Sequence, residues 1–329
     1  MTRENNQLAV IIVSHNSASW LEPCLSSVCT MSGNVDLDIV VVDSGSTDDT
    51  VDLVRREFPD VRVLTTENRG FAAANNRGLE LIVDAEWVLF LNPDTRILSG
   101  TLEELMSLLR ARPTVGLAGV RQVDENGVMD PTMRRFPNAV RSFFESLGAE
   151  RLPIHTSWLG ERVLDGALYD RETPCDWTSG SFMFARKAAI DDVGGMDERF
   201  FFYCEEIDFC LRIRQAGWQV VHLPQMTIFH QSSTTRSNEA LSRQMAYARR
   251  QYMEKNFTPA HRAAGTLALG LGAAIRSIWP GRGPDHRRRR ASARSSLTTL
   301  LGFTPAPFGS PSSGQGGTSA TDDEAHPDT

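Results

Sequence analysis

Four short apolar runs near the start of the chain alternate with segments whose apolar residues recur at helical spacing. The runs cover residues 8–13, 39–42, 61–64 and 87–91. This alternation is typical of βαβ units, in which right-handed crossovers place the carboxyl ends of parallel strands along one rim of the sheet. The sequence therefore predicts an α/β fold with a mostly parallel, Rossmann-like sheet flanked by helices, and a ligand site at that rim.

The run at residues 87–91 is followed directly by Asn92, Pro93 and Asp94. A continuous apolar run predicts a strand buried on both faces, and proline ends it because proline cannot donate to the ladder. Asp94 is thereby placed just beyond the carboxyl end of a strand, where it can hold a divalent cation against a diphosphate. The alternative is that Asp94 only caps the turn into the next helix.

Polar residues also follow the earlier runs: Ser14 and Asn16 the first, Asp43 the second and Asn68 the third. Acids occur at strand ends of purely structural domains, but several polar strand ends in register favour a ligand site. No glycine-rich dinucleotide motif or P-loop is present. A phosphate-bearing ligand therefore needs another counter-charge, and a metal ion on Asp94 is the simplest candidate.

Three acids, Glu205, Glu206 and Asp208, lie among aromatic residues later in the chain. Partial burial would raise the pKa of a carboxyl group there, which suits a general base. The alternative is a helix N-terminus, where acids favour the macrodipole and Asp208 pairs with Arg212. We expect both to hold, with Asp208 and Arg212 structural and Glu205 or Glu206 free for chemistry.

Three other residues are candidates for binding. Gly180 precedes a predicted strand and would let a backbone or ligand approach closely. Trp177 either stacks on a ring of the ligand or lies in the core. His230 ends an apolar run and meets a hydroxyl-rich loop, which suits a metal ligand at a strand end, although a lone histidine is more often an ordinary core or surface residue.

Composition narrows the class of protein. The net charge of −7 argues against a nucleic-acid binder, and five scattered cysteines are typical of reduced cytosolic thiols. We expect neither a secretory signal nor a bilayer-spanning run.

Residues 257–302 combine an apolar stretch with an arginine cluster, which predicts a basic amphipathic segment on an anionic membrane surface. The alternative is a core helix followed by a solvated basic linker. Residues 303–329 are expected to be disordered.

Together these residues resemble glycosyltransferase family 2, the inverting nucleotide-sugar enzymes with the GT-A fold, over residues 8–255. Each motif alone is weak, but their order and spacing are specific. Within the family, the Asn-Pro-Asp and Gly-Ser-Phe stretches are most similar to bacterial rhamnosyltransferases of cell-wall and surface-polysaccharide assembly. The motifs that carry the resemblance are Val10–Asn16, Val42–Asp48, Asn68–Asn75, Asn92–Asp94, Trp177–Ser181, Glu205–Asp208 and His230.

The resemblance implies a role for each motif. Asp94 matches the last acid of the family's metal-binding Asp-x-Asp motif, whose first acid is replaced by Asn92, and His230 matches its metal-binding histidine. The implied cofactor is Mg²⁺ or Mn²⁺. The implied nucleotide-sugar-binding residues are Ser14, Asn16, Asp43, Gly45, Ser46, Asn68, Gly70, Asn75, Asn92 and Asp94. The implied acceptor-binding residues are Trp177, Gly180 and Ser181.

Glu206 occupies the position of the family's catalytic base, with Glu205 and Asp208 as lesser candidates. We expect an inverting transferase that moves L-rhamnose from dTDP-rhamnose to a polyprenyl-diphosphate-linked saccharide, in the cytoplasm and peripheral to the inner face of the plasma membrane. The alternatives are a UDP-hexose donor, a non-catalytic sugar-nucleotide-binding scaffold subunit, and a nucleotidyltransferase. The predicted domains are a GT-A domain over 1–256, the basic segment over 257–302 and the tail over 303–329.

Overall fold

The N-terminal half of the sheet is parallel, as predicted. The computed structural model describes residues 7–146, 159–231, 239–278 and 284–308. Its first four strands pair in parallel in the order third, second, first, fourth, so that their carboxyl ends share one rim. These strands are β1 (Gln7–Ser14), β2 (Asp36–Asp43), β3 (Arg62–Thr65) and β4 (Trp87–Leu91).

The predicted helices connect these strands. They are α1 (Ala18–Thr30), α2 (Thr50–Glu57) and α3 (Phe71–Glu80). The amides of Leu81 and Ile82 donate to the carbonyl oxygens three residues earlier, so the last turn tightens and the helix ends.

The second half of the sheet is mixed. Its main strands are β5 (Thr95–Ser99), β6 (Val115–Val123), β9 (Phe182–Arg186) and β10 (Gln219–His230), and two short ones are β7 (Met129–Asp130) and β8 (Thr173–Pro174). β9 lies between β4 and β6 and is antiparallel to both, whereas β10 is parallel to β6 and antiparallel to β5. The pairing of β10 with β6 has a register shift between Leu223 and Thr227.

Strand β5 was not predicted, because Asp94 was expected to lead into a helix. The chain instead forms this strand first, and a helix follows from Thr101, whose side chain and that of Glu104 form a capping box. The helices of this half are α4 (Leu102–Arg110), α5 (Ala139–Ser146), α6 (Lys187–Val193) and α7 (Glu205–Gln215).

Both faces of the sheet are buried. In β1, Leu8, Val10 and Ile12 belong to one apolar cluster, which includes residues of α1 and α4. Ala9 and Ile11 belong to the other, which includes residues of α3, α6 and α7. This alternation follows from the two-residue repeat of a strand, and it explains why β1 is apolar throughout.

Three helices complete the described chain: α8 (Glu239–Asn256), α9 (Pro259–Ile278) and α10 (Pro284–Leu300). α9 packs against α5 and α10, and α10 also packs against α8. No helix within the described ranges is both long enough and apolar enough to cross a bilayer. Of the tail predicted to be disordered, residues 309–329 lie outside the described part.

Candidate active site

Asp43 ties together the loops that follow β1 and β2. Its carboxylate is fully buried and accepts hydrogen bonds from the Ser14 hydroxyl (3.0 Å), the Ser46 hydroxyl (2.5 Å) and the Ser46 amide (2.9 Å). Ser14 and Asp43 are also register partners in the parallel pair. The acid therefore fixes the shape of the rim at the point where the nucleotide was predicted to bind.

Asn16 joins the same two loops from the other side. It adopts a left-handed conformation with φ of 48°, and its amide donates to the Ser46 hydroxyl at 2.8 Å. Its side-chain oxygen accepts from the Thr47 amide at 2.8 Å. Gly45 has φ of 76°, a conformation that glycine adopts without steric cost. These contacts hold the predicted nucleotide residues in one preformed surface.

The third loop packs against the segment that leads to the acidic cluster. Gly70 has φ of 96°, and its amide donates to the Asn68 side chain at 3.2 Å. The Phe71 amide donates to the carbonyl oxygen of Phe201 at 2.7 Å. Asn75 is buried inside α3, where its side-chain amide donates to the Phe71 carbonyl oxygen at 3.0 Å. Asn68 and Gly70 therefore lie at the rim, while Asn75 supports the helix beneath it.

Asp94 and His230 come together, as the metal prediction required. Antiparallel pairing of β5 with β10 sets His230 opposite Thr95, next to Asp94. Asp94 Oδ1 lies 3.4 Å from His230 Nε2, and Asn92 Nδ2 is also 3.4 Å from that nitrogen. Within the described residues no group of three His, Cys, Asp or Glu side chains is placed to hold a metal ion. The structure therefore brings Asp94 and His230 together as a pair of side chains.

Gln122, which the sequence did not single out, orients the His230 ring. Its side-chain nitrogen lies 2.8 Å from His230 Nδ1, and its side-chain oxygen accepts from the Ser181 hydroxyl at 2.7 Å. The carbonyl oxygen of Ser181 accepts from the Asn92 amide at 3.0 Å. Gln122 is buried in β6, so it fixes the orientation of the imidazole. Nothing in an apolar strand marks such a residue in advance.

Glu205 and Glu206 begin α7 in a strained setting. The two residues before them, Tyr203 and Cys204, both adopt left-handed conformations, with φ of 71° and 69°. Such strain in non-glycine residues clusters at functional sites. Oε2 of each glutamate is buried with no hydrogen-bond partner in the described chain. An unpartnered buried carboxylate is costly unless it is protonated or used.

Burial raises the pKa of both glutamates. The neighbouring charge of Glu206 raises the pKa of Glu205 further, whereas the charges of Arg249 and Arg134 partly lower the pKa of Glu206. Glu205 is 4% exposed, and Glu206 is the more accessible of the two. Glu206 is therefore the better placed to take a proton from a ligand.

The acceptor-side residues differ in accessibility. A Cβ added at Gly180 would lie 3.7 Å from Cβ of Glu206, so this glycine borders the candidate base directly. Ser181 is buried, and its hydroxyl donates to the side-chain oxygen of Gln122. Trp177 is 6% exposed, and its indole nitrogen donates to the Arg135 carbonyl oxygen at 3.0 Å. The geometry of Trp177 favours the core role that the sequence had left open.

Asp208 forms the predicted ion pair with Arg212, at 2.8 Å. Its fully buried carboxylate also binds Lys255 at 2.7 Å and the side-chain amide of Asn256 at 3.2 Å. Its carboxylate is thus occupied by one partner on α7 and two on α8, which favours a structural role for Asp208 over the lesser catalytic one. The acid joins the helix that starts with Glu205 to the C-terminal helices.

A second buried ion pair lies close by, and no sequence pattern predicted it. Arg249 of α8 donates to both carboxylate oxygens of Glu161, at 2.5 and 3.2 Å. Glu161 is 2% exposed and also accepts from the Ser142 hydroxyl. Its carbonyl oxygen accepts from the Arg135 amide at 2.7 Å. Residues 159–162 have no periodicity, so only the folded chain shows this pairing.

Comparison with known proteins decides the family. The family model described as glycosyl transferase family 2 matches residues 9–172. An N-acetylglucosaminyl-diphospho-decaprenol L-rhamnosyltransferase of Mycobacterium tuberculosis is 30% identical over 260 residues, which cover 75% of this chain and 83% of the relative. The chain belongs to glycosyltransferase family 2. The resemblance in its motifs is thereby confirmed, and the chain is a glycosyltransferase.

One further relative agrees with this membership, and one solved structure shares the fold. The Escherichia coli rhamnosyltransferase WbbL is 22% identical over 67% of this chain and 82% of its own length. A solved mannosyltransferase of Pyrobaculum calidifontis, in complex with GDP-Man and Mn²⁺, has a TM-score of 0.54 at 18% identity and covers 90% of this chain and 86% of its own. The second likeness confirms the GT-A fold of this family 2 glycosyltransferase.

Proposed function

We propose that this glycosyltransferase moves L-rhamnose from dTDP-rhamnose to a polyprenyl-diphosphate-linked saccharide, with inversion at the anomeric carbon. The observation that carries the proposal is the placement of Glu206, a partly buried carboxylate beside Gly180, near the rim where Asp94 meets His230. The mycobacterial and Escherichia coli relatives are both rhamnosyltransferases, which supports the choice of rhamnose, and the mycobacterial relative's diphospho-decaprenol-linked substrate supports a lipid-linked acceptor.

Glu206 is the proposed base. An acceptor hydroxyl is a poor nucleophile until a carboxylate removes its proton as the new bond forms. A raised pKa makes Glu206 a stronger base once it has ionised. One displacement with one base inverts the anomeric centre, whereas retention would need a second, nucleophilic carboxylate. Glu205 is too deeply buried for that task, and Asp208 is fully paired.

The residues at the rim fit a divalent cation. A carboxylate and an imidazole are donors that Mn²⁺ accepts readily, and Mg²⁺ takes the carboxylate with water and phosphate oxygens. Gln122 Nε2 lies 2.8 Å from His230 Nδ1 and also donates to Asp130 at 3.2 Å, so the ring is held with its Nε2 toward Asp94. Asp94 and His230 would hold the ion, and Gln122 would orient the histidine from its other nitrogen. When bound, the ion supplies charge neutralisation for the departing nucleoside diphosphate.

The loops after β1, β2 and β3 are the proposed nucleotide site. Asp43 shapes this surface from beneath through Ser14 and Ser46, with Asn16, Gly45, Asn68 and Gly70 forming the remaining rim. Asn75 holds the helix behind it. The basic segment at residues 257–302 is proposed to lie against an anionic membrane surface, which would keep the enzyme near a lipid-linked acceptor.

The deciding experiment compares donors by calorimetry. The full chain is titrated with dTDP-rhamnose, UDP-glucose, UDP-GlcNAc and UDP-galactose, with and without Mn²⁺. We expect tight, metal-dependent binding of dTDP-rhamnose alone. A preference for a UDP-sugar would keep the mechanism and replace the donor. Binding of none of them would instead favour another donor or a scaffold subunit.

A further inference from the structure

A surface groove of about 770 Å³ lies between α8, α9 and α10. Its lining is mostly aliphatic and includes Leu267, Leu271, Leu297 and Leu301. None of the residues assigned to the active site lines it. A cavity of this volume matches the usual range of ligand sites, and it is unexplained by the transfer chemistry itself.

On α9, two leucines are exposed and two glycines are buried, which is the reverse of an ordinary surface helix. Leu267 and Leu271 are 71% and 49% exposed, while Gly265 and Gly272 are buried on the opposite side. Burying leucine removes much apolar surface from water and burying glycine removes little, so folding alone would place the leucines inward. Contiguous exposed leucines mark a surface that is covered in use.

The groove lies next to the active site because both use α8. Arg249 points inward to Glu161, and the next residue, Arg250, lines the groove. The groove and the buried Arg249–Glu161 pair therefore lie on different faces of the same helix.

The end of the described chain also connects the two sites. Leu301 lines the groove, and Phe308 stacks on Phe201, in the segment just before the acidic pair, with ring centroids 5.9 Å apart. Arg243 of α8 donates to the Pro305 carbonyl oxygen at 2.9 Å, which holds this segment in place. The segment after α10 thus runs from the groove to the loop that precedes Glu205.

Charge selects the kind of apolar ligand. Arg250 and Arg262 line the groove with one acid, Glu254, which pairs with Arg250 at 2.8 Å. The groove therefore has a net positive edge, which suits an anionic head group on an aliphatic chain. Residues 309–329 contain no Leu, Ile, Val, Met, Phe, Tyr or Trp, so the remaining C-terminal sequence does not supply an apolar occupant.

We propose that this groove binds the isoprenoid chain of the acceptor, with Arg250 and Arg262 facing its diphosphate. The proposal rests on the proposed function, since it places the lipid of that same acceptor. It differs from attachment to a bilayer, because the groove then contacts one lipid-linked substrate molecule. The acceptor hydroxyl would lie at Glu206 while the chain lies on the other side of α8.

The test uses a diazirine-bearing polyprenyl phosphate that carries no sugar, with the full chain and peptide mapping of the labelled sites. The comparison probe is a diazirine-bearing hexadecyl phosphate. The variant Leu267→Asp/Leu271→Asp changes two exposed groove residues, and Val83→Asp is the control, since Val83 is 94% exposed elsewhere. Arg262→Gln tests the anionic end. Circular dichroism and sedimentation velocity check the fold and the oligomeric state of each variant.

We expect the polyprenyl probe to label peptides within residues 250–301 and unlabelled polyprenyl diphosphate to compete with it. The double variant should lose labelling at least tenfold, while Val83→Asp retains it. Arg262→Gln should weaken labelling several-fold. Equal labelling by the hexadecyl probe would assign the groove to ordinary membrane lipid, and a dimer dissociated by the double variant would assign it to a second copy. Either result, or labelling elsewhere, overturns the proposal. Because no sugar is transferred, the outcome is separate from the choice of donor.

Discussion

The amide of Phe71 donates a 2.7 Å hydrogen bond to the carbonyl oxygen of Phe201. This bond joins the third nucleotide-side loop to the segment that turns into Glu205 and Glu206. It requires a close approach at the preceding residue, Gly70, where an added Cβ would lie 2.2 Å from the same carbonyl oxygen. The donor side and the base side of the site are thus held in one backbone contact.

Replacing Gly70 by alanine should separate these two loops. The φ of 96° and the clash with Phe201 both oppose a side chain, so we expect a loss of more than about 1 kcal/mol in the free energy of unfolding and a lower transfer rate. The control is Gly127→Ala, because Gly127 also has positive φ but nothing within 4 Å. Urea denaturation compares the two variants. Equal losses for both would mean that the Phe201 contact is unimportant.

Glu206→Gln should keep donor affinity and lose transfer by roughly 10²–10⁴-fold, the usual contribution of a general base. The amide matches the carboxylate in size but cannot accept the proton. Initial rates and calorimetric donor titration measure the two properties separately. Glu205→Gln is the matched comparison and should lose less. Near-normal turnover by Glu206→Gln would remove it from the mechanism.

The pH profile of kcat/KM should report the same carboxylate. Transfer needs ionised Glu206, so activity is lost as the pH falls through its pKa, which burial raises above the ordinary glutamate value of about 4.3. We expect the midpoint of the acid limb to lie at a higher pH than that value. The limb should be absent from the residual activity of Glu206→Gln. A limb at the ordinary value would contradict an ionisation controlled by burial.

Asp94→Ala and His230→Ala should each weaken the Mn²⁺-dependent part of donor binding by about tenfold or more, and the double variant should lose little beyond either one. Two ligands of one ion act as a unit, so their effects are not additive. Calorimetry of dTDP-rhamnose over a Mn²⁺ series provides the test. An unchanged metal dependence in Asp94→Ala would exclude ligation at that position.

Arg249→Met should destabilise the fold by about 3–5 kcal/mol, because it leaves the buried Glu161 carboxylate without its partner. Arg250→Met on the same helix breaks a half-exposed pair with Glu254 and should cost less than about 1 kcal/mol. Chemical denaturation compares the two. Combining Arg249→Met with Glu161→Gln should recover part of the loss; no recovery would mean that Arg249 acts through other contacts.

The sequence anticipated the parallel half of the sheet and the rim because both depend on local signals. A buried strand such as Trp87–Leu91 needs a continuous apolar run, and the polar residue that follows it is immediately visible. The meeting of Asp94 with His230 is different, since 136 residues separate them. Only the family resemblance connected these two, through motif order rather than through any physical pattern.

The contacts that orient these groups were not predictable from local patterns. Gln122 is one polar side chain in an apolar strand, and Glu161 and Arg249 belong to segments without a shared period. β5 was missed because its alternation spans only a few residues and competes with the capping signal of the following helix. Each of these contacts depends on pairing between distant segments, and that pairing exists only in the folded chain.

Asp208 gives the order of synthesis a consequence for activity. Its partners Lys255 and Asn256 are made 47 and 48 residues after it. A nascent chain can therefore form the rim for the nucleotide while the helix bearing Glu205 and Glu206 still lacks two ligands for its buried acid. A chain cut before residue 255 loses both bonds, so we expect it to hold the helix that bears Glu206 less firmly than the full chain does.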